Sequence, residues 1–193
     1  MTIPHVSADR LVLASASPRR RELLERIGVA FEVRPADLDE TPRAGEEPST
    51  LARRLAADKA RAVAADADGA WVLGADTVVD LDGVTFGKPS DDLDAGRMLR
   101  ALAGRTHRVH TGVAVSRPDG SLLTEVVTTS VTFAELSDEL IAWYVATGEP
   151  ADKAGAYGLQ GIGAALVERI DGSVSNVLGL PLTTVRRLLG PGG

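Results

Sequence analysis

Cysteine is absent from all 193 residues, which rules out disulfides, thiolate catalysis and cysteine-ligated zinc. That absence suits a reducing compartment, so a cytoplasmic protein is expected. Aromatic residues make up only 4% of the chain. A core built from this composition must rely on Val, Leu and Ala, and the scarcity of rings argues against a platform for stacking single-stranded nucleic acid. Long apolar runs are missing as well. None approaches the roughly 20 residues of a membrane-spanning helix, and the opening Met1–Arg10 lacks the basic-then-apolar pattern of a secretory signal. Nor is there an excess of positive charge. A formal net charge of −6 repels nucleic acid and anionic membranes, so neither is expected as a partner, and any grip on an anion must be local.

What remains is ordinary globular chemistry, 44% hydrophobic and 25% charged. The length allows one substantial core, or two small lobes sharing a sheet. Leu11–Ala14 is a short apolar run suited to a buried strand. The turn Ser15-Ala16-Ser17-Pro18 then opens a helix, with Ser17 as N-cap, Pro18 in the first position and Gly28 as the stop. Asp37–Pro48 reads as a surface loop, after which Ser49 or Thr50 caps a second helix running to about Asp66. Trp71–Leu73 enters a strand, and Thr77–Val84 reads as a further strand and turn. Ser90 caps a third helix ending near Gly104, with an apolar stripe of Ala95, Met98, Leu99 and Leu102.

Val109–Arg117 and Leu122–Phe133, joined by Pro118-Asp119-Gly120, read as a β-hairpin. Ser137 starts a helix closed by Gly148-Glu149-Pro150. There follow a glycine-rich loop over Gly155–Gly163, a strand over Ala165–Ile170, a helix over Pro181–Leu189 and a frayed end from Gly190. No repeat or low-complexity linker divides the chain. The expectation is an α/β fold in which residues 1–193 form a single domain.

Several residues are placed where stability alone does not want them. Arg19 and Arg20 stand in the first turn of a helix, beside the positive end of its dipole, although basic residues favour the last turn. A bound phosphate, gripped by unpaired backbone N–H groups and guanidinium forks, would resolve that conflict. A solvated basic patch beside Glu22 would do so equally. Lys59 follows Leu55 and Leu51 by four and eight residues, so it projects from an apolar helix face. A snorkelling lysine explains it unless other phosphate-binding groups converge there. Asp76 interrupts apolar sequence, and a buried strand-end carboxylate needs a partner or a metal. Strand ends in α/β proteins face ligand crevices, which favours function over a turn aspartate.

Other patterns exclude more than they suggest. Gly83–Ser90 imitates a phosphate-binding P-loop, but it is one residue short, and Pro89 stands where the hydroxyl residue belongs. Lys88 can still meet phosphate as a point charge, or simply precede a helix. His107 and His110, three apart on a strand, point to opposite faces and do not make a metal pair. Gly172-Ser-Val-Ser lacks the spacing of a nucleophile elbow.

Taken in order, the segments Ser15–Arg20, Lys59-Ala60, Gly74–Thr77, Gly87–Pro89, His110–Val113, Asp152–Gly161 and Gly172–Pro181 closely resemble the Maf family. The resemblance spans Leu11 to about Leu189. It implies a fold related to inosine-triphosphate pyrophosphatases: a mixed sheet with flanking helices, and two lobes around a central cleft. It also implies an enzyme, a hydrolase acting on acid anhydrides that splits nucleoside triphosphates into monophosphate and pyrophosphate, usually as a homodimer. The family's phosphate-lining serine and arginines correspond to Ser15, Arg19 and Arg20, and its two lysines to Lys59 and Lys88. Its catalytic aspartate corresponds to Asp76, and its acidic loop position to Glu40, with Asp39 beside it. Arg19, Thr77 and Gln160 are similar to the branch that prefers dTTP and UTP, and a Gln160 amide can read a base edge. Mg²⁺ or Mn²⁺ held by Glu40 and Asp76 completes the expected site. The family's association with septum formation leaves a rival, a nucleotide-binding regulator of cell division, and the opening strand-turn-helix also suits a nucleotidyltransferase.

Overall fold

The computed structural model describes residues 10–190. Residues 1–9, which belong to the start read as lacking a secretory signal, and the expected frayed end beyond Gly190 lie outside them. Within residues 10–190, seven strands form one mixed sheet: β1 (Leu11–Leu13), β2 (Glu32–Val33), β3 (Trp71–Leu81), β4 (Val84–Phe86), β5 (Thr106–Ser116), β6 (Leu122–Phe133) and β7 (Val167–Asp171). Its order is β2-β1-β3-β5-β6-β7. Among the described residues six α-helices accompany it: α1 (Pro18–Arg26), α2 (Pro48–Ala64), α3 (Asp92–Leu102), α4 (Asp138–Ala146), α5 (Val174–Val177) and α6 (Leu182–Leu188).

The edge of β3 explains where a crevice opens. Its first residues pair in parallel with β1, and its last ones, Val79–Leu81, pair antiparallel with β4. Between them the same edge of β3, around Asp76 and Thr77, has neither strand beside it. On its other edge β3 pairs continuously with β5 from Val72 to Asp80.

Among the described helices, α2 packs on one face of the sheet. Gly74 and Gly112 let the helix backbone descend onto the strands, because a Cβ at Gly74 would stand 2.3 Å from the Ala56 carbonyl oxygen and one at Gly112 2.1 Å from that of Ala52. Small residues continue the seam: Ala56, Ala57 and Ala60 pack on Val12, Val72 and Ala114. The opposite face holds two separate apolar clusters. Leu23 and Leu24 of α1 and Val185 and Leu188 of α6 cover Leu73, Ala75, Val113 and Val115. Further along, Met98, Leu99 and Leu102 of α3 and Ile141 and Tyr144 of α4 cover Val79, Val109 and Phe133.

Several expected boundaries move. Trp71–Leu81 is one unbroken strand, so Asp76 lies mid-strand rather than at a strand end; Gly74 marks close helix approach, not a break. Glu47 and Pro48, not Ser49 or Thr50, begin α2, since proline suits the first helical turn. Asp91 rather than Ser90 caps α3, its carboxylate accepting from the Asp94 N–H. Ser17 does occupy the N-cap of α1 but makes no side-chain cap bond. The last strand starts at Val167, because Ile162–Leu166 is a 3-10 segment. The short elements β2, β4 and α5 are additions. No described helix is long and apolar enough to cross a membrane.

Candidate active site

Adjacent side chains on β3 alternate faces, and Asp76 and Thr77 therefore enter different surroundings. Asp76 points towards α2. There the Lys59 ammonium lies 2.6 Å from Asp76 Oδ1 and 2.7 Å from Glu40 Oε1, so one buried cation is held between two carboxylates. Burial pushes the Asp76 carboxyl above its ordinary value, against the pull of Lys59 and Arg20. Lys59 is no snorkelling lysine: it is 7% exposed and its charge ends inside the cleft.

Thr77 points the other way. Its hydroxyl accepts from Arg20 Nη2 at 3.3 Å and shares a 3.0 Å hydrogen bond with Thr111 Oγ1. Arg20 also donates through Nη1 to Ser15 Oγ at 3.0 Å and through Nε to the Gly179 carbonyl at 2.9 Å. This buried guanidinium thus ties the first turn, β3 and the segment before α6 together. Burial lowers its pKa. Ser15 Oγ additionally accepts from the Ser17 N–H at 3.2 Å, which leaves its own proton free to donate. Arg19 reaches across to Asp152, with Nη1 2.9 Å from Oδ2. The dipole conflict in the first turn of α1 is therefore relieved by the protein's own acceptors, one carboxylate and several oxygens.

A cleft of about 560 Å³ joins these groups, lined by Ser15, Arg19, Arg20, Glu40, Lys59, Asp76, Thr77 and Lys88. The widely separated cations expected to gather do share one cavity. Its charged lining is five cations (Arg19, Arg20, Lys59, Lys88 and Lys153) and three carboxylates (Glu40, Asp76 and Asp152), a local positive excess in a chain of net charge −6. Leu51, Leu55, Phe86, Val109, Tyr157 and Leu159 supply an apolar wall. Gln160 stands one residue beyond that wall, its amide donating to Glu22 Oε2 at 3.3 Å.

The residue-by-residue reading did not single out Asp152 and Lys153, which line the cleft and bond each other at 2.6 Å. Their only signal was their place at the start of the Asp152–Gly161 segment that resembles the Maf family. Thr111 and Asn176 were missed too. Thr111 donates to the Asn176 carbonyl at 2.9 Å, and the Asn176 amide donates to the Val109 carbonyl and Thr129 Oγ1. His107 and His110 do face opposite sides: His107 sits against Phe133 and Tyr157, and His110 against Asp80 and Thr128.

Residues 10–191 match the family model described as Maf-like protein. The chain belongs to the Maf family. Among curated relatives, a dTTP/UTP pyrophosphatase of Anaeromyxobacter dehalogenans (strain 2CP-1) is 56% identical over 185 residues, covering 94% of this chain and 93% of the relative. One of Geobacter sulfurreducens is 56% identical over 177 residues, covering 91% and 93%. A dTTP/UTP pyrophosphatase of Nitratidesulfovibrio vulgaris is 52% identical over 189 residues, covering 97% and 90%. Among solved structures, a HAM1 protein from Coxiella burnetii aligns over 93% of this Maf chain and 98% of its own, with a TM-score of 0.52 and 18% identity. That likeness concerns the fold, and it agrees with the expected mixed sheet and flanking helices.

Proposed function

We propose that this Maf protein hydrolyses the α–β phosphate bond of nucleoside triphosphates, with dTTP and UTP as preferred substrates, releasing the monophosphate and pyrophosphate. The carrying observation is the locally positive cleft, in which Arg19, Arg20, Lys59 and Lys88 line the same cavity as the buried Asp76. A triphosphate is the ligand that matches several cations beside an apolar wall. Relatives above 50% identity named for dTTP and UTP support that substrate choice.

Glu40 and Asp76 fit a hard divalent cation, Mg²⁺ or Mn²⁺, because both carboxylates already converge on one positive charge, the Lys59 ammonium. Among the described residues no group of three or more His, Cys, Asp or Glu could enclose a metal. Glu40 and Asp76 are the two carboxylates that would hold the ion. When bound, the ion would neutralise charge developing on the phosphates. The chain's own groups do the rest. Ser15 donates its free proton to a phosphate oxygen, and Arg19 and Lys88 neutralise the polyphosphate. Asp76 orients or deprotonates the attacking water. Thr77 and Gln160 bear on base choice, Thr77 by holding Arg20 and Gln160 from the loop next to Leu159. The chain works as one unit of two lobes, in the cytoplasm and as a homodimer.

Product analysis tests this reading. With dTTP and Mg²⁺ or Mn²⁺, equal amounts of dTMP and pyrophosphate are expected without any acceptor. Release of orthophosphate, or pyrophosphate only when an acceptor alcohol or sugar phosphate is added, would overturn it. Stoichiometric binding without turnover would favour the division regulator.

A further inference from the structure

Glu40 sits on a segment that has no apolar reason to be where it is. Residues 39–45 are all solvent-exposed, so burial of hydrophobic surface contributes little to their placement. Yet the Glu40 carboxylate is brought to 2.7 Å from the Lys59 ammonium. Something polar must hold the segment, and the contacts identify it. From α2, Arg54 donates through Nε to Glu46 Oε1 and through Nη2 to Glu46 Oε2, both at 2.7 Å. The same Nη2 reaches the Thr41 carbonyl at 3.2 Å, next in sequence to Glu40. Glu46 Oε2 in turn accepts from the Arg43 N–H at 3.0 Å, and Asp39 Oδ1 from the Thr41 N–H at 3.0 Å.

This is a fork-to-fork pair, not an ordinary surface ion pair. The Arg54 and Glu46 side chains are 14% and 7% exposed, and bidentate pairs of this kind carry geometric specificity that a lone ammonium cannot supply. Asp58, one turn further along α2, adds a second carboxylate 3.7 Å from Arg54 Nη1. The hydrogen bonds from Arg54 hold the Glu46 carboxyl down at about 2, so the fork stays ionised through the physiological range. Lys59 and Arg54 leave the same helix. One rigid element therefore carries both the cation that Glu40 meets and the clamp that presents Glu40 to it.

We infer that Arg54 is a positioning residue for the reaction, fastening the 39–46 segment to α2 so that Glu40 faces Lys59 and Asp76 across the cleft. This rests on the role proposed above for Glu40, and the test separates the two. Partners that orient a functional carboxylate typically cost about 10–100-fold when removed. Arg54→Met and, from the loop side, Glu46→Gln are expected to lower kcat/KM for dTTP within that range. Arg54→Lys keeps the charge but loses the fork, and should recover only part of the loss.

The deciding measurement is a double-mutant cycle with Glu40→Gln. If Arg54 acts through Glu40, the Glu40→Gln/Arg54→Met protein is no slower than Glu40→Gln alone. Amide exchange over residues 39–46 should also quicken in the folded Arg54→Met and Glu46→Gln proteins, a readout independent of turnover. Additive losses, or wild-type kcat/KM in Arg54→Met and Glu46→Gln while Glu40→Gln is impaired, would overturn the positioning role and leave the proposed reaction standing. Full activity of Glu40→Gln would instead remove the role of Glu40 itself, and that of Arg54 with it.

Discussion

Asp76 and Thr77 are consecutive on one strand, but they enter networks of opposite kinds. On the Thr77 side the polar atoms are largely satisfied by the protein: Arg20 donates to Ser15, Thr77 and Gly179, and Thr111 hands the chain on to Asn176. Of the atoms in this network, Asn176 Oδ1 is buried without a protein partner. On the Asp76 side, charge is concentrated but left open. A buried carboxylate and a buried ammonium meet a carboxylate that is 55% exposed, at the mouth of a cleft. Satisfied hydrogen bonds fix geometry, whereas a desolvated charge with an open flank stores reactivity. The first network is the brace for the second.

The contrast yields an ordered set of expected effects. Lys59→Met should be the largest, lowering kcat/KM for dTTP by about a hundredfold or more, as loss of a charge-stabilising group does. It should also move the acid limb of the kcat/KM profile to higher pH, because the Lys59 charge is the chief influence holding the Asp76 pKa down against desolvation. A limb at unchanged pH would place the titrating group elsewhere.

Next in size is His107, on the Thr77 face, where burial lowers its pKa from 6.5 to about 4. The folded imidazole stays neutral while the unfolded one takes up a proton below about pH 6.5. Stability should therefore fall as pH drops from there towards 4, by up to about 3 kcal/mol from this group. Urea melts of wild type and His107→Phe at pH 7 and pH 4.5 isolate that share, and equal pH dependence in both would contradict it. Asn176→Ala removes the amide that donates to the buried Val109 carbonyl and to Thr129 Oγ1, which keeps the Ser173 N–H as a donor. A loss of about 1–3 kcal/mol is expected, with turnover per folded molecule within a few-fold of wild type. A collapse in rate without a shift in the melt would erase the distinction between the two faces.

Much of this was legible in the residues. The strand Leu11–Leu13, the hairpin around Gly120 and the helix capped by Ser137 carry strong local signals, and they form as read. Arg19, Arg20 and Lys59 stood out because each sat where local stability disfavours it. The misreadings have a common cause. Trp71–Leu73 and Thr77–Leu81 read as separate runs although they are one strand, because nothing along the chain shows that Gly74 between them admits a helix backbone; only the Ala56 contact does. Thr111, Asn176 and Arg54 were silent for a related reason: their partners are 65, 67 and 8 residues away, and no spacing along the chain announces such pairs.

The most direct test replaces the Asp76 carboxylate by its near-isosteric amide. Asp76→Asn should still fold, with a lowered melting temperature because the buried Lys59 ammonium loses one of its two carboxylates, while dTTP turnover falls about a hundredfold or more. Pyrophosphate release at the wild-type rate by a folded Asp76→Asn protein would contradict the assignment of the open, charged face as the seat of the chemistry.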